Sequence, residues 1–259
     1  MVLRLAAAAV VGLTLVVGPL IVGTADALTG TIAGHGFALG GSVGSVTLGP
    51  LNLVTLPPGG GSNVPLGASE PPVAVNSASA STSCSGNATG PQVDATCSAE
   101  VNGLSLSVSA VEIVTATVIR AQSTSVDGGV GPSSNNTGTL FSGLCIQQTL
   151  VGPCTPVSSP GPVSVNLPGV VTGTIDVQVE VPRTMEGGVV GSGLTVTMLH
   201  IELSTPLISI IMDIAEADSF VGGVTADTPT PTPSATPTPT PSDTDSHCDS
   251  NCVAVAHAF

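Results

Sequence analysis

The stretch "GLTVTMLHIEL" (residues 193–203) decides the fold class. Leu194, Val196 and Met198 alternate with threonines, and the apolar phase then moves by one residue to Leu199, Ile201 and Leu203. Side chains of an extended chain point alternately to the two faces of a sheet, so this pattern is a strand with one apolar face and a one-residue β-bulge. Upstream, "VVTGTIDVQVEV" (170–181) predicts a half-buried antiparallel strand. Ile175, Val177, Val179 and Val181 fall on one face, and Thr174, Asp176, Gln178 and Glu180 on the other. "VEIVTATVIRAQS" (111–123) is apolar on both faces, as a central strand is, while "VAVNSASASTS" (73–83) and "LSLSV" (104–108) are strand-like with small partners. Gly/Pro/Asn clusters such as "LPPGGGSN", "VDGGVGPSSNNTG" and "MEGGVVGSG" separate these runs as turns. After residue 27 no segment carries a capped helical stripe; "IIMDIAEADSF" (210–220) comes nearest, with room for one turn. The expected fold is all-β: an antiparallel β-sandwich or barrel-like domain, with a β-solenoid as the alternative that no fixed repeat period supports.

The two ends of the chain read differently. Arg4 precedes an apolar run from Leu5 to Val17, Gly18-Pro19 breaks it, and Ala25-Asp26-Ala27 follows. That is the layout of a secretory signal peptide over residues 1–27, with Leu28 as the mature start. Residues 28–226 form one compositional block of a size that suits a single β-rich extracellular domain. Residues 227–246 open with "DTPTPTPSATPTPTPSD", where recurring Pro favours extended polyproline II, a disordered but semi-rigid Pro/Thr-rich stalk. Residues 247–259 form a short Cys-containing tail without a sorting motif, and its apolar end is too short to span a membrane. The mature chain has no transmembrane segment by this reading. The expected location is secreted or extracellular, with weak cell-surface association as the variant, and the expected partner is an extracellular protein or a cell-envelope component.

Charge excludes one large class. The sequence has 17 acids against three arginines and no lysine, a net charge of −14. Removal of residues 1–27 takes Arg4 and Asp26 together and leaves Arg120 and Arg183 as the only strong cationic side chains. Phosphate neutralisation needs Lys and Arg, so nucleic acid is not a partner. There is no Trp or Tyr and only four Phe, so the core must be aliphatic and an aromatic-rich ligand pocket is not expected. Six cysteines in an exported chain are expected as disulfides, and their spacing points to Cys84 with Cys97, Cys145 with Cys154, and Cys248 with Cys252. His247, Cys248 and Cys252 supply three metal ligands, where a structural zinc site wants four.

Five segments carry a resemblance: "CSAEVNGLSL", "IVTATVIRAQS", "VNLPGV", "LTVTMLHIEL" and "MDIAEADSFV". Together they resemble, in this order over roughly residues 36–221, a bacterial surface-protein family called choice-of-anchor P. The resemblance implies an exported β-rich domain attached through variable C-terminal devices, with no catalytic residues to carry over. The "ASAHA"-like ending of that family is replaced here by "IAEAD".

Three constellations test for chemistry. Gly40, Ser42 and Gly44 make G-x-S-x-G, and Asp176 and His200 follow in the hydrolase order, but the motif needs a helix after the serine and "SVTLGPLNLVTLPPGGG" is strand and turn. His200 and Glu202 share a strand face and offer a general-base pair only if a pocket holds them; a solvated polar pair is the simpler reading. Asp213, Glu216 and Asp218 offer oxygens for calcium without EF-hand or solenoid spacing. His35, between glycines, reads as a surface residue without a partner. No catalytic, metal or cofactor site is expected. The chain reads as a structural or interaction module; the alternatives are a secreted hydrolase using Ser42 or the His200–Glu202 pair, and a calcium-stabilised adhesin.

Overall fold

The structure is a computed structural model and describes residues 27–226. The expected leader before Ala27, the Pro/Thr-rich stretch, His247, His257 and the expected Cys248–Cys252 pair lie outside the described residues. All regular elements described are strands. In chain order they are β1 (Leu28–Val43), β2 (Val46–Leu51), β3 (Val54–Leu56), β4 (Gly60–Asn63), β5 (Gly67–Glu70), β6 (Val73–Asn76), β7 (Ser79–Asn87), β8 (Thr89–Gly90) and β9 (Val93–Val108). The second half continues with β10 (Val111–Asp127), β11 (Ser133–Asn135), β12 (Leu140–Ser142), β13 (Cys145–Ile146), β14 (Thr155–Pro156), β15 (Gly161–Leu167), β16 (Val171–Glu186), β17 (Val189–Ser204) and β18 (Ser209–Ala226).

One sheet has the order β15-β16-β17-β18-β1-β2, with β3 and β8 also paired to β1. The other has the order β14-β13-β10-β9-β6-β5, with β11 and β12 on β10, and β7 between β9 and β4. The ladders are antiparallel, and neither sheet closes on itself, so the domain is a β-sandwich rather than a barrel or solenoid. Residues 210–220 hold no helical turn; they lie in β18, the strand with neighbours on both sides at the middle of its sheet.

The phase change expected at Met198 extends across the whole sheet. In β17, Leu194 and Val196 face the core and Thr195 and Thr197 face outward; beyond Met198, Leu199, Ile201 and Leu203 face the core and His200 outward. Pairing lapses at Met198 and at its neighbours Gln178, Ala215 and Ala38, yet the register on either side is unchanged. Gln178 (φ 58°) and Ala215 (φ 55°) take the left-handed conformation that turns the next side chain to the other face. A flip in one strand alone would slip every neighbour by a residue, so all four strands flip at the same level. The second sheet repeats the device where Gly103 (φ 62°) stands opposite Thr117. One expectation falls to it. Val179 and Val181 do not continue the face of Ile175 and Val177, because the flip at Gln178 turns them outward and leaves Val181 53% exposed.

On one side of the flip the core is bulky. Leu39, Leu199, Ile201, Met212 and Ile214 share it with Leu104, Leu106 and Ile113; each such side chain contributes about 1.5–3 kcal/mol on full burial. On the other side small residues, Ala95, Cys97, Ala99, Ala121 and Ala217, and hydroxyls share the layer with Leu194, Val196 and Val221. There β9 approaches β1 and β18, and β10 approaches β17 and β18, to Cα separations within 8 Å, closer than the roughly 10 Å of ordinary stacked sheets. A Cβ on Gly34 would lie 2.9 Å from Cys97 Sγ and 2.5 Å from the Asp218 carbonyl oxygen, so only glycine fits. Fully buried Ser123 donates to the Leu194 carbonyl at 2.5 Å, and Ser219 lies 2.7 Å from Ser123 Oγ and 2.8 Å from Ser125 Oγ, linking the sheets while satisfying each hydroxyl.

Two of the expected disulfides are present. Cys84 and Cys97 are register partners on β7 and β9 with Cα atoms 4.1 Å apart, and Cys145 joins Cys154 across the loop that follows β13.

Three variants test these features. Ala215→Val places a β-branched residue in a left-handed, fully buried position and is expected to cost at least about 2 kcal/mol in urea unfolding. Ala215→Gly should stay within about 1 kcal/mol of wild type, because relief of backbone strain offsets added chain entropy. Replacing Cys84 and Cys97 by Ala should cost about 3 kcal/mol, the loop-closure value for a bridge of this span.

Candidate functional site

The outward face of the first sheet collects the polar side chains that the sequence singled out. The flip row divides them into two groups. In the first, His200 on β17 has Asp176 of β16 and Asp213 of β18 as its register partners. Its Nδ1 lies 2.6 Å from Asp213 Oδ1 and its Nε2 lies 3.2 Å from Glu202 Oε1. In the second, His35 of β1 stands opposite Asp218, which stands opposite Thr195. His35 Nε2 is 3.0 Å from Glu216 Oε1 and Nδ1 is 3.5 Å from Asp218 Oδ2. Arg183 of β16 reaches Asp218 and also pairs with Glu186. Thr195 and Thr197 donate to Asp218 Oδ1 and Glu216 Oε2 at 2.8 and 3.0 Å. The His35 ring stacks on Phe37 with centroids 6.0 Å apart.

His35 is therefore not a lone surface residue: it is half-buried and paired with two carboxylates. Its hydrogen bond to Glu216 holds the imidazole above its ordinary value; burial opposes this, and the charge of Asp218 adds to it. Burial pushes His200 down, but the hydrogen bonds and charges of Asp213 and Glu202 together outweigh it and hold that ring up as well. On the other sheet Glu100 is held below the usual carboxylate range, first by the Asn102 amide and then by Arg120, whose Nε lies 2.7 Å away.

These geometries limit the chemistry. Both ring nitrogens of His200 face carboxylates, which favours the imidazolium and works against a general-base role. Ser42 lies on β1 opposite Ile211 of β18, so β18 separates it from the strand of His200, roughly two strand spacings of about 4.8 Å each. Gly40–Ser42 are ladder residues of β1 and Gly44 is the turn after it. No helix follows, and no strained elbow presents the hydroxyl. Asp213, Glu216 and Asp218 share a face, but each is already paired with a histidine, an arginine or a threonine. Among the described residues no group of three or more His, Cys, Asp and Glu is arranged to hold a metal ion. The partner of His35 was invisible to sequence reading because Glu216 is 181 residues away.

Two clefts are lined by neither His35 nor His200. One of about 470 Å³ sits between the sheets at the end where the described chain starts and finishes, lined by Leu28, Asp127, Gly129, Val190, Val224 and Ala226. Another, of about 420 Å³, runs beside Arg183, Glu180 and Ser192, where Ser134 of β11 lies 2.5 Å from Ser192 of β17. No family model matches the chain, and neither a curated protein nor a solved structure matches it.

Histidines held above their ordinary value contribute stability that is complete below about pH 6.5 and is lost as pH rises through the raised folded-state values. The thermal midpoint should therefore fall between about pH 6 and pH 9, and the double substitution His35→Gln/His200→Gln should flatten that fall; a profile unchanged in the double variant contradicts the assignment. Because the three carboxylates already have partners, chelator and millimolar calcium should each leave the midpoint unchanged, and a calcium-dependent rise would restore the calcium reading.

Proposed function

We propose that this chain is an exported β-sandwich that works as a structural or interaction module, secreted or held at a bacterial surface through its Pro/Thr-rich stretch, and not as an enzyme. The observation that carries the reading is the pairing of Leu28 with Ala226. β1 starts at the residue after Ala25-Asp26-Ala27 and β18 runs to Ala226, so the first and last described strands adjoin the expected leader and stalk in sequence. Two disulfides suit an oxidising compartment, and no helix among the described residues is long and apolar enough to cross a membrane. Membership in the choice-of-anchor P family is part of the same proposal.

In this reading the loops at the far end from Leu28 and Ala226 are the presented surface, since function on β-scaffolds concentrates in loops. They include the turns around Gly44, Gly169 and Leu207, with Leu207 92% exposed. The partner is an extracellular protein or a cell-envelope component. Fractionation of expressing cells tests the proposal: the protein is expected in the medium or the envelope fraction, with its described cysteines oxidised and its leader removed. A cytoplasmic pool of full-length chain with free thiols would overturn it.

A further inference from the structure

Asp127 ends β10 with its side chain on the core side, 5% exposed. Its Oδ1 accepts from the Gly129 and Gly131 amides at 2.7 and 3.3 Å, and among the described residues it is the only titratable one lining the cleft of about 470 Å³. A carboxylate this far from water calls for a cationic partner. The chain can offer very few. There is no lysine; Arg120 is paired with Glu100, and Arg183 with Asp218 and Glu186. His35 and His200 are each held between two carboxylates. Among the described residues no cationic side chain reaches Asp127. Leu28 lines the same cleft, 8% exposed, with a Cβ on Gly129 lying 3.6 Å from its δ-methyls.

We propose that the cleft around Asp127 is an ammonium-binding site, and that its occupant is the chain's own α-amino group at Leu28. The proposal rests on leader removal after Ala27. A peptidase adds water across the Ala27–Leu28 amide. The C–N bond breaks, the hydroxyl stays with the Ala27 acyl carbon as its carboxyl group, and the nitrogen leaves as the amine of Leu28, which takes up a proton. A neutral amide in the precursor thereby becomes a cation beside Asp127, and a charge-assisted bond ties the first residue of β1 to the last residue of β10 across the two sheets. Processing would then supply the charge that the sequence withholds.

The absence of lysine gives a clean test, because the α-amine is the only primary amine in the mature chain. Intact mass of the exported protein is expected to place the N-terminus at Leu28. The rate of amine acylation is then followed against pH for the folded protein, for the same protein in urea, and for Asp127→Asn. In urea the midpoint should sit at the ordinary α-amino value of about 7.7–8.0, and in the folded protein at least about one unit higher. Asp127→Asn should bring the folded midpoint back towards the denatured one. Simple shielding would lower the plateau rate without moving the midpoint. An N-terminus other than Leu28 overturns the processing reading and the ion pair with it. An N-terminus at Leu28 with equal midpoints in the folded and denatured protein overturns the ion pair alone, and that comparison holds even if Asp127→Asn does not fold.

Discussion

The structure depends on a constraint that no strand can meet alone: adjacent strands of a sheet must change facing together or lose register. Met198 and Leu199 are both apolar and both buried, so β17 has to place two successive side chains out of alternation. Gln178, Ala215 and Ala38 lapse from the ladder at the same level. Two of them carry a left-handed backbone that costs roughly 1–2 kcal/mol for a residue with a Cβ, offset by the aliphatic burial that the flip permits. The second sheet meets the same constraint with Gly103, where the conformation carries no steric penalty.

The flip also organises the surface and the core. Outside, it separates the His200 group, which holds Asp213, from the His35 group, which holds both Glu216 and Asp218. With so few cations, the chain neutralises this face by arranging histidines and threonines around Asp213, Glu216 and Asp218, and uses Arg183 on the most deeply buried of the three carboxylates. Inside, it marks the change from a bulky to a thin layer. Gly34, Ser219 and Ser123 let the sheets approach there, and the Cys84–Cys97 bridge fills space that a branched side chain would overfill.

Fold class and disulfides were legible in the sequence because their signals are local: alternation within a strand, Gly/Pro turns between strands, and cysteine pairs 13 and 9 residues apart. The phase change at Met198 was legible because both phases there are apolar, but it is not the β-bulge read from it, since the register is the same on both sides. The flip at Gln178 was not, because Ile175, Val177, Val179 and Val181 keep an unbroken alternation in sequence while the backbone turns between the second and third. The candidate site was least legible. His35 and Glu216 meet only because β1 and β18, the first and last strands, lie side by side. The hydrolase-like order of Ser42, Asp176 and His200 is a coincidence of a glycine-rich strand, since β18 lies between the serine and the histidine.

The pairing of Leu28 with Ala226 carries a mechanical consequence. The strand that leads out of the domain is β18, 18 residues long and bonded on one side to β1 and on the other to β17. A load applied beyond Ala226 and resisted at the opposite loops runs along the axis of that strand. Two ladders then bear the tension in shear, and their hydrogen bonds share it along the length of the strand instead of opening one at a time as in a peeled edge strand. Traction along β18 would thus meet two antiparallel ladders at once, with β1 on one side and β17 on the other.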